Sequence, residues 1–529
     1  MSTLTGTGTL ARLILRRDRL ILPGWGLLAA VYPSAIAGST AELYPTSEAL
    51  RSTARAAMAN PAQVAMRGIV FDPSVGGLTA WTVGSSGAML LGLVSMLLVI
   101  RHTRAEEESG RRELVGAGVA GRHAPLTAVL AVVFAANLLI AVLMSVVLMS
   151  GGLPVGGSVA LGLSLAAAGW TFAAVGAVAA QVTESAAAAR GLGVGVFVFF
   201  FVIRAVGDAG GADWLSWLSP LGWTLRVRPF AGERWWVLAS LPVLVALVAA
   251  AAYALSVRRD LAAGLLPPRL GPATAAPGLR TPLALAWRLH RGQVLAWSAG
   301  FGAGGLALGG AVTGGLEGQI DAPEIMDLIS RVGGPDARPV DFFLNFLLSM
   351  LAWIVAAYGI SAALRLRAEE TAGRADLVLV TPVSRARWAL GHLLIAAAGP
   401  ALVLAALGTA AGLGYGLSTG DLGRLPQVFG GALAYLPAVW VMTGIAAALA
   451  GLLPRLAMAS WGVWVAFILL DIFGLLGQVD EAFLQIIPFV HVPWVVLGQT
   501  AAAPLLALTA VAAALTALGV IGLRGRDLG

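Results

Sequence analysis

Apolar runs long enough to cross a bilayer recur along the whole chain, and they leave little choice of fold. A membrane-spanning helix needs about 20 mostly apolar residues. Twelve stretches of the 529-residue sequence approach or exceed that length: 20–37, 80–100, 127–149, 155–180, 191–206, 235–256, 294–314, 343–363, 390–416, 428–452, 457–477 and 502–523. In hydrocarbon every backbone N–H and C=O must be bonded within the protein, and continuous runs of this length do so as helices. The chain is 58% hydrophobic and only 12% charged, about half the charged fraction of soluble domains. Its mean hydropathy is +0.85. The expected class is an all-α polytopic membrane protein.

Two charged islands interrupt this pattern, and they match. Residues 101–122 read RHTRAEEESGRRELVGAGVAGR, and residues 364–385 read LRLRAEETAGRADLVLVTPVSR, aligned without a gap at an offset of 263. Arg104, Glu106, Glu107, Gly110, Arg111, Glu113 and Arg122 fall on Arg367, Glu369, Glu370, Gly373, Arg374, Asp376 and Arg385. Each island follows the second apolar run of its half and precedes the third. One such island is explained by a solvated helix end. Two with the same order of charges point to a docking surface for a soluble partner. If each island continues the preceding helix, Glu107 with Arg111 and Glu370 with Arg374 form i,i+4 pairs, worth roughly 0.2–0.5 kcal/mol each. Gly110 and Gly373 argue against helix stability as the whole purpose, since Gly in mid-helix costs about 1 kcal/mol relative to Ala. A bend there, or close approach of another backbone, explains them better.

The repeat divides the chain into two pseudo-symmetric six-helix halves, residues 1–257 and 283–529. They are joined by the Pro-rich stretch 258–282, whose five prolines forbid a continuous helix. Arg16, Arg19 and Trp25 before the first run have counterparts in Arg288, Arg291 and Trp297 before the seventh. That pairing favours a retained first span over signal-peptide cleavage after Ala35-Ile36-Ala37. With the N-terminus inside, cytoplasmic segments carry 24 Arg and outer loops 9. The excess of positive charge faces the cytoplasm, so both termini and both islands (loops 101–124 and 364–387) are expected there, in a bacterial cytoplasmic membrane. Outside, 46–61 reads as a helix capped by Thr46 or Ser47 and stopped at Asn60-Pro61, and 322–335 reads as a second. The aromatic, Pro-broken stretches 214–236 and 483–498 read as interfacial belts or re-entrant segments.

Composition also excludes chemistry. All 34 basic residues are Arg. A P-loop needs a Lys to reach the β- and γ-phosphates, so any ATP used is hydrolysed on another chain. There is no Cys, and the five His are scattered, so no metal site is expected. The pI near 10.6 reflects Arg distributed beside apolar spans rather than a nucleic-acid patch. Acidic residues of the outer loops, among them Glu317, Asp321 and Glu324, show no paired motif of the kind a membrane-embedded enzyme needs.

The pattern E-E-x-x-G-R-x-[ED]-L-V…P-V-S-R resembles the coupling-helix region of ABC-2 type exporter permeases. The rest of the chain, with Leu43-Tyr44-Pro45 after the first span and Ser219, Pro220 and Trp223 after the fifth, is similar to actinobacterial antibiotic exporter permeases of the tetronasin-resistance type. The resemblance implies a transporter subunit, not an enzyme, with twelve transmembrane helices. It implies a separate ABC ATPase homodimer on the cytoplasmic face that carries ATP and Mg, no cofactor on this chain, and a small amphipathic cargo such as an antibiotic. It makes the island residues, with Pro382, the ATPase-coupling set. The first copy departs from the pattern, with Gly118-Val119-Ala120-Gly121 where the second has Thr381-Pro382-Val383-Ser384. Arg204 and Asp471 are the two charges inside predicted spans, and such charges are functional candidates. Aligned on Pro220 and Pro488 they fall at nearly equal depth with opposite sign, as cavity or gate residues, with Asp208 as a local alternative partner for Arg204. The rival assignment is a major-facilitator secondary transporter, whose charged motif also follows spans two and eight. Gly110-Arg111-Arg112 matches that motif superficially, but its Asp-Arg pair is missing.

Overall fold

The computed structural model describes residues 2–110, 121–259, 264–265, 273–274, 276–315, 338–475 and 480–526, and among them every regular element is helical. Among the described residues ten helices are long and apolar enough to cross a membrane, and the molecule is a multi-pass membrane protein. The chain divides into two compact units, Met1–Gly271 and Pro272–Gly529.

In the first unit, α1 (Thr7–Arg17) precedes the first apolar helix, α2 (Ile21–Leu43). The short helix α3 (Ser47–Ala59) follows; the Thr46 side chain, not Ser47, caps it by accepting from the Ala49 amide. After α4 (Pro61–Arg67) come α5 (Val75–His102), α6 (Arg104–Glu108), α7 (Ala124–Ser150), α8 (Val155–Val182) and α9 (Ala186–Ala209). Two short helices, α10 (Asp213–Trp217) and α11 (Pro220–Arg226), lead into α12 (Trp235–Val257). Most of α8 is buried, because its sequence is rich in Gly, Ala and Ser, which let neighbours approach closely. A Cβ at Gly162 would meet the Ala141 carbonyl oxygen at 2.6 Å. The Pro-broken stretch turns through Arg228 and Phe230, both at positive φ (55° and 61°). This drives the Phe230 ring against Gly76 of α5 and Gly157 of α8.

The second unit contains α13 (Pro282–Gly315), α14 (Pro339–Thr371), α15 (Arg374–Leu379), α16 (Arg385–Thr419), α17 (Leu425–Ala434), α18 (Leu436–Leu452), α19 (Ala459–Leu475), α20 (Glu481–Leu484) and α21 (Ala502–Gly525). The seventh expected span lies inside α13, which begins well before residue 294. The eleventh, expected at 457–477, corresponds to α19, which runs to Leu475; the last two expected residues lie outside the described residues. The tenth, 428–452, is two helices that meet at Tyr435. The expected outer helix at 322–335 lies outside the described residues.

The units share a packing order. The first apolar helix lies on the third (α2 on α7, α13 on α16), and the fourth lies against the second and the sixth (α8 with α5 and α12, α18 with α14 and α21). The end of the sixth helix is thereby brought to the end of the second, where the charged islands begin. At 1.5 Å per residue α14 is about 50 Å long, well beyond the roughly 30 Å of hydrocarbon, so its charged last turn extends past the apolar layer.

Candidate functional site

The islands form two charged clusters, one in each unit. In the first unit the α5 helix is interrupted at Thr103 (φ −113°, ψ −81°), and α6 follows at once. One turn of α6 then sets Arg104 beside Glu107, with Nη1 donating to Oε2 at 2.8 Å. Arg104 Nε also donates to the Glu184 carbonyl at 2.6 Å, at the α8–α9 turn. Arg259, just beyond α12, grips the same carboxylate with both ends of its fork, Nη1 to Oε2 at 2.9 Å and Nη2 to Oε1 at 2.8 Å. Its Nε donates to Gln181 Oε1 at 2.7 Å, at the end of α8. Burial shifts the Arg259 guanidinium below its ordinary pKa, the direction expected when charge leaves water. Glu108 accepts from the Ala186 amide at 3.0 Å, a carboxylate against the positive end of α9. Glu106 pairs with Arg17 of α1.

In the second unit α14 runs unbroken to Thr371. Glu370 receives Arg526, just beyond α21, with Nη1 to Oε1 at 2.6 Å and Nη2 to Oε2 at 2.8 Å. Arg367 is ion-paired with it at 3.0 Å. Arg526 Nη2 also reaches the Ala450 carbonyl at 3.3 Å, near the end of α18. Thus Arg104, Glu107 and Arg259 are repeated as Arg367, Glu370 and Arg526. The last matching residues close both clusters: Arg122 donates to the Val257 carbonyl at 2.7 Å, and Arg385 to the Arg526 carbonyl at 2.7 Å. Each is a cation at the negative end of its unit's last helix.

The i,i+4 pair expected between Glu370 and Arg374 is corrected. Arg374 instead binds Glu369 through Nε at 2.7 Å and Nη2 at 3.2 Å. Gly373 is the cause: at φ 67° it ends α14 in the left-handed conformation, a helix stop that favours Gly, and it turns Arg374 back one residue further. Gly110 has the same conformation, at φ 71°. Among the described residues neither has an atom within 4 Å of an added Cβ, so the bend, and not a close approach by any of them, is what both glycines serve. Arg111 and Glu113 lie outside the described residues, and with them the expected Glu107–Arg111 pair. The carboxylates of Glu107, Glu369 and Glu370 are largely buried, so they are not themselves open docking contacts. What faces outward is α15 and the turn after it. Leu377 and Val380 are 76% and 87% exposed, and Arg374, Asp376 and Pro382 are exposed beside them.

Arg204 and Asp471 each find partners inside their own unit. Arg204 donates from Nη2 to the Met66 carbonyl and to Ser85 Oγ, both at 3.2 Å, and lies 3.6 Å from Asp208. Asp208 in turn holds Arg226 at 3.1 Å, which reaches Asp213 at 2.9 Å. Asp471 accepts from Trp353 Nε1 at 3.1 Å, and the Trp353 ring stacks on Phe489 at 3.7 Å between centroids. Among the described residues no group of three or more His, Asp and Glu side chains could hold a metal.

Arg259 and Arg526 are the residues that sequence reasoning missed. They were counted only as positive charge beside a span. Their signal was position: each stands within two residues of the end of its half's last helix.

Over its full length the chain is 43% identical to the multidrug efflux system permease protein Rv1217c of Mycobacterium tuberculosis (strain ATCC 25618 / H37Rv), of which it covers 96%. The chain belongs to this family of efflux permeases. Residues 279–524 also match the family model described as the C-terminal domain of the multidrug efflux system permease Rv1217c. That match takes in α13 to nearly the end of α21, and with them Arg367, Glu370 and α15, and it stops two residues short of Arg526.

Proposed function

We propose that this permease is the membrane subunit of an ATP-driven exporter of the ABC-2 type. In this assignment it crosses a bacterial cytoplasmic membrane twelve times with both termini inside, and it exports small amphipathic molecules, antibiotics among them. An ABC ATPase homodimer, carrying ATP and Mg, grips the loops at 101–124 and 364–387 from the cytoplasm. The observation that carries the proposal is α15. A short helix and the turn after it present Leu377 and Val380 outward at the end of a membrane-length helix, between two anchored arginines, Arg374 and Arg385. An apolar plug with charged shoulders suits a groove on a soluble partner, where the charges set register. Arg204 and Asp471 belong in the same assignment as cavity or gate residues, each held by a local partner.

The full chain, solubilised from its native membrane, is expected to carry an ABC ATPase with it and to support export that depends on ATP. Leu377→Asp with Val380→Asp is expected to release that ATPase while the permease stays folded. Export driven by an ion gradient with no ATPase attached would overturn the assignment.

A further inference from the structure

We propose that Arg259 and Arg526 are positioning residues that make the last helix of each unit and the adjoining charged island a single mechanical piece. The inference rests on the coupling role given above to the islands, because it says where a push on them goes.

Each unit brings the ends of its second, fourth and sixth helices to one guanidinium. In the first unit Arg259 touches Glu107 after α5, Gln181 at the end of α8 and, through its own chain, the end of α12. In the second unit Arg526 touches Glu370 at the end of α14, Ala450 near the end of α18 and the end of α21. Arg122 and Arg385 add the start of the third helix by binding the carbonyls at the same helix end. The two clusters were built differently, one on a broken helix and one on a continuous one, yet they arrive at the same connections.

Stability alone is a poor reason for such an arrangement. A buried ion pair gains little over well-packed apolar side chains, and its best-attested use is to set register. The planar fork of Arg against a carboxylate fixes two hydrogen bonds at once and so resists both sliding and rotation, which a Lys point charge does not. A force applied to α15 or to α6 therefore reaches the sixth helix through the clasp, without first spreading through the apolar packing.

The absence of Cys makes the test direct. Nitroxide labels at Thr371→Cys and Leu518→Cys report the separation of α14 and α21 within the second unit; labels at Ser109→Cys and Leu247→Cys do so for the first. In the full chain without any partner, one narrow distance distribution is expected in each unit. Arg526→Lys should broaden the distribution in the second unit, Arg259→Lys should broaden it in the first, and each should leave the other unit's distribution alone. The swap Glu370→Arg with Arg526→Glu should narrow it again. With the co-purified ATPase, ATP and vanadate should leave the Thr371–Leu518 distance unchanged in the original chain and shift it in Arg526→Lys. Distributions that stay narrow in both Lys variants overturn the proposal. If the Lys variants broaden as stated but no ATPase accompanies the chain, the clasp stands and the ATP-driven assignment falls.

Discussion

The Glu107 and Glu370 clusters pair the same residue types, but they differ in how much water reaches them. In the first unit Arg104, Glu107 and Arg259 keep 1%, 2% and 5% of their side-chain surface. In the second, Glu370 keeps 4%, but Arg526 and Arg367 keep 18% and 26%. Arg259 spends its Nε on Gln181, whereas Arg526 Nε, although itself shielded from water, has no hydrogen-bond partner among the described residues; the added exposure of the second cluster lies elsewhere on its two arginines. One motif has thus produced a dry lock and a wetter one. The difference shows that the order of charges sets who pairs with whom, while the surrounding helices set what the pairing is worth.

The largest expected effect uses that contrast. Glu107→Ala leaves two buried guanidinium groups without their carboxylate and should cost about 3–5 kcal/mol. Glu370→Ala exposes its arginines to water that can solvate them and should cost about 1–2 kcal/mol. Thermal unfolding of the purified chain reads both, and equal losses would show that burial is not what separates the clusters. Next come Gly110→Ala and Gly373→Ala, each expected to cost about 1–2 kcal/mol because an L side chain is strained at positive φ. Here the two units should agree, since both glycines have nearly the same positive φ. Smaller again are Arg122→Ala and Arg385→Ala, about 1 kcal/mol each for a cation at a helix C-terminus. Smallest is the pair Leu377→Asp and Val380→Asp, within about 0.5 kcal/mol in stability. That pair alone should abolish recovery of an ATPase with the chain, which separates the outward face of the island from its buried side.

Much of the helix count was legible beforehand, because a length of apolar sequence answers to the thickness of hydrocarbon and little else. The ends were less so. The tenth run breaks at Tyr435, ahead of Pro437, and α13 starts before residue 294 because its first turns, with Arg288, His290 and Arg291, are too polar to count toward an apolar span. At the site, the repeated island could be found by alignment, and Gly373 as a bend could be argued from the cost of Gly in a helix. The partner of Glu370 could not. Local spacing offered Arg374 four residues on, and a single glycine turn redirected it to Glu369.

The sequence by itself determined that this chain lives in a membrane as helices, that it hydrolyses no ATP through a P-loop, and that one charged pattern occurs twice at equivalent places. Those properties depend on composition and on neighbours a few residues apart. Only the tertiary structure decided that Glu107, Glu369 and Glu370 face inward and that Glu107 and Glu370 take arginines from 152 and 156 residues away. Helix packing brings those ends together. A buried carboxylate then takes whichever guanidinium the packing delivers, because leaving it unpaired in a low dielectric is far more costly than any local preference.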